Sequence, residues 1–416
     1  MPEYQLGLSY TRCRELLGQR LAEPAPAPIQ LLSGPRQVGK TTLLLEIADM
    51  WGARAIYASA DSPEGGLPGF WQRLWVRAEE VATAQGSAIV LLDEVHVVPN
   101  WSGKLKGEWD RLKRKRVPVH IVATGSSALR IGSGSRESLA GRFERMTLTH
   151  WSAASLVEIF NISAERAAEI VVQIGGYPGV MSIRGDTQRR LAYIRDSIVE
   201  PAIGKDISAL GAVRKPALLR QIFAVSTSRP AEIVALQKLQ GQLQDRGAIE
   251  TVAHYLDLLQ EAYLIAPLQK YSRHPARGRA APPKLVTLSN ALLAVTDPRG
   301  IPDMKTKSER RGHWIENVCL AHAWNSGQQV RYWREEPLEV DGIIDGSWGL
   351  WAIEVKTGNI QAADLRGLLE FTARFPEYRP LLICEPAGIL IAQRAGIPAQ
   401  TWQEFLMNVD EIGVRV

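Results

Sequence analysis

The stretch that most constrains this chain is Gly34-Pro35-Arg36-Gln37-Val38-Gly39-Lys40-Thr41-Thr42, a complete GxxxxGK[ST] loop. An apolar run, Ile29–Leu32, precedes it, and a helix-competent run, Thr42–Ala48, follows. Such a loop needs a strand before it and a helix after it. Its glycines let backbone N–H groups curl around phosphate oxygens, and the helix turns the positive end of its dipole toward them. Lys40 is expected to reach the β- and γ-phosphates of a nucleoside triphosphate, and the Thr41 hydroxyl to ligate Mg²⁺. The plain alternative is a chance glycine-rich turn before a helix, and the flanking elements argue against it.

Two further apolar runs agree with a parallel sheet. Ala88–Leu92 ends in Asp93-Glu94, as a buried central strand does when its carboxyl end faces a ligand. Asp93 is expected to hold Mg²⁺ through water, and Glu94 to act as general base on the attacking water. Val119–Ala123 runs into Thr124-Gly125-Ser126-Ser127. Ser126 or Thr124 is placed to sense the γ-phosphate or orient the water, unless these hydroxyls simply cap the next helix. Arg142, in Leu139-Ala140-Gly141-Arg142-Phe143, is either a transition-state charge stabiliser, in cis or on a neighbour's nucleotide, or an ordinary surface arginine.

At 416 residues the chain suits two or three domains of ~100–200 residues. No apolar window is long enough for a membrane span, and the first residues lack the pattern of a secretory signal. Cys13, Cys319 and Cys384 are far apart and form no CxxC pair, which disfavours a disulfide framework or zinc finger and suits a reducing cytoplasm. A net charge of +5 permits a nucleic-acid partner without requiring one.

The motifs LSGPRQVGKTTLL, LLDEVHVVPNW, VATGSS, ESLAGRFERMTL and IGGYPGVM stand in this order along the chain. Together they resemble a large prokaryotic family of AAA-type ATPases. In that family the C-terminal region, long described as a domain of unknown function, joins a winged helix to a PD-(D/E)xK nuclease-like fold. The resemblance implies an adenine-nucleotide ATPase, and no guanine-selecting NKxD stands at the expected place. It also implies an α/β architecture: a P-loop core over 1–150, a helical lid over 151–210, a winged-helix-like segment with a basic loop over 211–284, and a small nuclease-like domain over 285–416.

Read from the residues, the third block starts with one helix at Glu232–Leu239. A second spans Ile249–Ala262, with Val252, Leu256 and Leu259 inward and His254, Tyr255 and Asp257 outward. Tyr263–Leu268 is expected as a wing strand. The second helix carries Glu250, Asp257 and Glu261 and almost no base, unlike a groove-reading helix. Arg273, Arg277, Arg279 and Lys284 belong to a basic loop that could touch a phosphate backbone or simply be solvated. A denser run, Arg111 to Arg116 with Lys104 and Lys106 upstream, is either a solvated face or a DNA- or RNA-tracking patch.

The last informative passage, Leu338 to Gly358, reads as a hairpin turning at Asp345-Gly346-Ser347. Residues two apart on a strand share a face, so Glu354 and Lys356 point together and the hairpin brings Asp341 beside them. Carboxylates around Mg²⁺ with a lysine nearby suit metal-assisted phosphodiester cleavage, and Glu316 on the preceding helix, His313–Asn325, is a third carboxylate for it. The expectation is a cytoplasmic, oligomeric ATPase using ATP and Mg²⁺ and acting on DNA, branched DNA included. The alternative is a nucleotide switch whose nuclease-like domain is an inactive binding module.

Overall fold

The computed structural model describes residues 7–125, 139–183, 185–207, 213–243, 248–274, 278 and 280–413. Ser126, Ser127, Arg277 and Arg279 lie outside them. Two compact units form, one over Leu8–Thr149 and one from His150 onward together with Gly7.

The first unit is built on a sheet ordered β1-β6-β2-β5-β4-β3. Its strands are β1 (Gly7–Leu8), β2 (Ile29–Ser33), β3 (Ala55–Ser59), β4 (Ala88–Asp93), β5 (Val119–Thr124) and β6 (Phe143–Leu148). From β6 across to β3 every pairing is parallel. β2, β4 and β5 are buried at every residue, which is why Ala88–Leu92 runs continuously apolar instead of alternating, and Gln30 and His120 are enclosed with the rest. Helices α1 (Tyr10–Leu21), α2 (Lys40–Trp51), α3 (Phe70–Gln85) and α4 (Trp101–Lys115) accompany the sheet. Trp71 and Trp75 of α3 and Leu105, Trp109 and Leu112 of α4 pack with Val90, Leu92 and Ile121 in one core.

The second unit opens with helices, among them Ala153–Phe160, Ala164–Ile174 and Thr187–Ile194. A small antiparallel sheet follows, in which β9 (Lys284–Thr287) lies between β7 (Glu232–Ile233) and β8 (Ile265–Leu268). Helices Pro216–Thr227, Leu236–Gly241 and Ile249–Glu261 precede β8. A five-stranded sheet then forms from β10 (Gln329–Glu335), β11 (Leu338–Gly346), β12 (Gly349–Lys356), β13 (Arg379–Cys384) and β14 (Ala399–Thr401). It is antiparallel from β10 to β12 and parallel from β12 to β14. Among the described residues no helix is long and apolar enough to cross a membrane.

The middle of the chain corrects the sequence reading in three places. Glu232-Ile233 is an edge strand, not the start of a helix. Ala231 N–H bonds the Leu285 carbonyl and Val234 N–H that of Pro283, so pairing with the neighbouring chain overrides local helix propensity. Tyr255 is buried, because it lies three residues from Val252 and four from Leu259, on the same helical face; its hydroxyl accepts from the Lys215 N–H. The expected wing strand begins only at Ile265, since Tyr263 takes a left-handed conformation (φ 59°) as the chain leaves the helix.

Candidate functional site

β2 delivers the phosphate loop to the carboxyl edge of the parallel sheet. Gly34 has φ 149°, and a Cβ there would collide with the Leu148 carbonyl oxygen on the adjoining strand. Gly39, at φ 98°, is the residue from which α2 starts, and the Gly39 carbonyl accepts the first helical bond from Leu43. Both positions need glycine, one for space and one for conformation. Pro35 and Val38 are buried, Arg36 and Gly39 half-buried, and Gln37, Thr41 and Thr42 exposed. Lys40 is buried, and its Nζ donates to the carbonyls of Gly34 at 3.0 Å and Pro35 at 2.6 Å.

Asp93, at the end of β4, gathers hydroxyls from three elements. Its Oδ2 accepts from Thr41 Oγ1 at 2.7 Å and from Tyr57 Oη at 3.2 Å. Its Oδ1 accepts from Thr124 Oγ1 and from the Glu94 N–H at 3.0 Å. Glu94 takes a left-handed conformation (φ 49°), with Oε2 3.2 Å from His96 Nδ1. Burial pushes the Glu94 carboxyl up, against the pull of Lys40, the direction that strengthens a proton acceptor. Thr41 and Asp93, a hydroxyl and a carboxylate in contact, are the hard oxygen donors that Mg²⁺ prefers, and the residues present fit that ion.

Tyr57 was not singled out in the sequence. Burial, and then the Asp93 charge, push its phenol up to about 12, so it remains a donor. Its run, Ala55–Ser59, is legible as a strand, but nothing local says that this strand lies beside β4. Arg142 is found at the amino edge of the sheet, where its carbonyl accepts from Ile29 N–H, the first residue of β2. Its guanidinium grips Asp110 through Nε at 2.8 Å and Nη2 at 3.3 Å. That is the edge opposite the phosphate loop of the same chain, so the cis role has no geometry here. Ser126 is outside the described residues.

In the second unit Glu316, Asp341, Glu354 and Lys356 do come together, but around Lys284, which the sequence placed in a basic loop, solvated or touching a phosphate backbone. Lys284 is 1% exposed. Its Nζ lies 2.6 Å from Glu316 Oε1, 2.9 Å from Asp341 Oδ1 and 3.5 Å from Glu339 Oε1. Asp341 Oδ2 accepts the Val355 N–H at 3.0 Å, and Lys356 Nζ pairs with Glu354 Oε1 at 2.7 Å. Burial raises the Asp341 carboxyl, but Lys284 and Lys356 outweigh it and hold that group well below the usual carboxylate range. Burial and then the Asp341 charge push Glu354 up to about 8, despite Lys356. Burial and the same charge raise Glu316. The expected metal set of Glu316, Asp341 and Glu354 does not fit a divalent cation in this arrangement, because an ammonium already lies between its oxygens. Among the described residues no group of three or more acidic, histidine or cysteine side chains is disposed to hold a metal.

Residues 26–157 match the family model described as an AAA domain. Residues 166–299 and 311–392 match two models, each described as a domain of unknown function. An uncharacterized protein of Mycobacterium tuberculosis is 25% identical over 337 residues, 79% of this chain and 70% of that protein. Its counterpart in Mycobacterium bovis matches to the same extent. Among solved structures, AMPPCP-bound DnaA from Aquifex aeolicus is similar at a TM-score of 0.34 and 16% identity, over 63% of this chain and 92% of that one. The ORC1 protein of Aeropyrum pernix in complex with DNA is similar at 0.28 and 16%, over 70% of this chain and 93% of that one. The AAA-domain match covers most of the first unit and includes the GxxxxGK[ST] loop.

Proposed function

We infer that this chain binds ATP with Mg²⁺ and hydrolyses it, and that nucleotide state governs a DNA-facing surface. The observation that carries the first part is the Asp93 carboxylate, which ties Thr41 of the phosphate loop to Thr124 and Tyr57 with Glu94 as its chain neighbour. Lys40 exchanges its loop carbonyls for phosphate oxygens as ATP enters. Thr41 would ligate the Mg²⁺ and Asp93 would hold it through water, and the ion would neutralise phosphate charge. Glu94 takes the proton from the attacking water, and its raised affinity for protons supports that role. Arg142, paired with Asp110, is either an ordinary surface arginine or acts in trans, on the nucleotide of a second copy. The deciding experiment is ATP binding and turnover by wild type, Lys40→Ala and Glu94→Gln; a Glu94→Gln variant that turns over at the wild-type rate overturns the assignment.

DNA binding rests on the end of α4. Lys113, Arg114, Lys115 and Arg116 are exposed there. Arg111 is engaged by Glu79 and Glu108, and Lys115 lies 3.5 Å from Glu79, so part of the positive charge is already balanced. A second reading keeps the ATP chemistry but makes the second unit a partner-binding module with no cleavage of its own. The ammonium among the C-terminal carboxylates favours that reading. ATP turnover with and without linear, single-stranded and branched DNA separates the two, because only the first expects stimulation.

A further inference from the structure

Lys284 belongs to β9, the middle strand of the three-stranded sheet, with Ile233 opposite it on one side and Leu268 on the other. The carboxylates it meets come from elsewhere: Glu316 from the helix Glu309–Asn325, and Glu339 and Asp341 from β11. Lysine is almost never fully buried unless paired, and here its three donors face three carboxylates. Contacts of 2.6 and 2.9 Å put the nitrogen where a divalent ion binding Glu316 and Asp341 would have to be. The side chain is 1% exposed, on a strand paired at both edges.

The rest of the cluster is adjusted to one positive charge at its centre. Asp341 spends its second oxygen on the Val355 N–H. Glu354 gives one oxygen to Lys356, while its other oxygen is buried without a hydrogen-bond partner.

We propose that the Lys284 ammonium is the resident cation of this carboxylate cluster, supplied covalently by the three-stranded sheet in the place of a divalent metal. The five-stranded sheet is therefore a metal-independent module bolted to the three-stranded sheet through its own acids. Taking the ammonium away turns the cluster into a divalent-cation site. None of this depends on whether the chain hydrolyses ATP.

The test uses full-length, nucleotide-free protein and Mn²⁺ alone, read by the loss of the free-ion EPR signal and by Tm. Wild type and Asp341→Asn should respond to Mn²⁺ identically, since whatever the first unit takes up is common to both. Lys284→Met should gain one Mn²⁺ per chain, with Tm rising by several degrees at about 100 times the new Kd. Adding Asp341→Asn to Lys284→Met should abolish the gain. Wild-type Mn²⁺ uptake that Asp341→Asn removes overturns the proposal, as does Mn²⁺-dependent DNA cleavage by wild type that Lys356→Ala abolishes. A folded Lys284→Met that takes up no extra ion overturns it too. Should Lys284→Met fail to fold, the same comparison on Lys284→Gln and on the wild type and Asp341→Asn pair decides.

Discussion

Lys40 and Lys284 are both buried lysines, yet their surroundings give them opposite work. Lys40 is seated against backbone carbonyls of its own loop, at 3.0 and 2.6 Å from Gly34 and Pro35. Those oxygens carry only partial charge, so in the function proposed phosphate oxygens would replace them at a gain. Lys284 is seated against carboxylates at 2.6 and 2.9 Å, whose full charges no incoming anion can better. A buried cation that hydrogen-bonds backbone carbonyls can exchange them for a ligand's oxygens, whereas one that hydrogen-bonds carboxylates is already satisfied. Glycine makes the first arrangement possible by exposing backbone, and strand pairing fixes the second.

The largest expected effect breaks the first seat. Lys40→Ala should lose nucleotide binding and hydrolysis, measured by nucleotide fluorescence and phosphate release, while leaving stability nearly unchanged. Glu94→Gln should retain binding and lose about 10²–10⁴-fold in turnover, the usual worth of a positioned base. Lys284→Ala should do the reverse. It strands acids in the interior, so denaturant unfolding should show a loss of about 3–5 kcal/mol, with nucleotide affinity of the surviving folded protein unaltered. If Lys40→Ala proves the more destabilising of the two, the contrast drawn between the seats fails.

A subtler test is pH. The Glu354 carboxyl is raised in the folded chain, from 4.5 to about 8, so the folded form holds a proton that the unfolded form releases earlier. Its contribution to stability is therefore whole below about 4.5 and fades as pH climbs through about 8. Glu354→Gln should flatten that decline, read as the slope of unfolding free energy against pH. Asp341 has the opposite sign: held low, its contribution is present above the ordinary aspartate range and fades in acid.

Two smaller effects concern the first unit. Replacing Lys113, Arg114 and Lys115 by Ala should flatten the salt dependence of DNA binding by about two to three log–log units, and an unchanged slope returns this face to solvent. Tyr57→Phe removes one donor from Asp93 and should slow turnover by about 2- to 10-fold, in line with ~0.5–1.5 kcal/mol for one such bond.

The sequence by itself determined the α/β class, the phosphate loop and the strands that feed it. Loop, strand and helix signals there are contiguous, and a continuous apolar run such as Ile89–Leu92 has little choice but a sheet covered on both faces. It determined as well the hairpin that carries Asp341 and Glu354, since period-two spacing and a Gly-containing turn are local facts. Tertiary structure alone decided which strand lies beside Asp93, and so the place of Tyr57. It decided that Arg142 belongs to the sheet edge away from its own loop, because edge assignment depends on strand order and not on motif. It also decided Lys284. In sequence that residue closes a Pro-rich basic stretch and reads as a loop residue, solvated or touching phosphate; in the fold it is drawn inward, because carboxylates distant in the chain converge on one point and an interior charge is stable only beside its opposite.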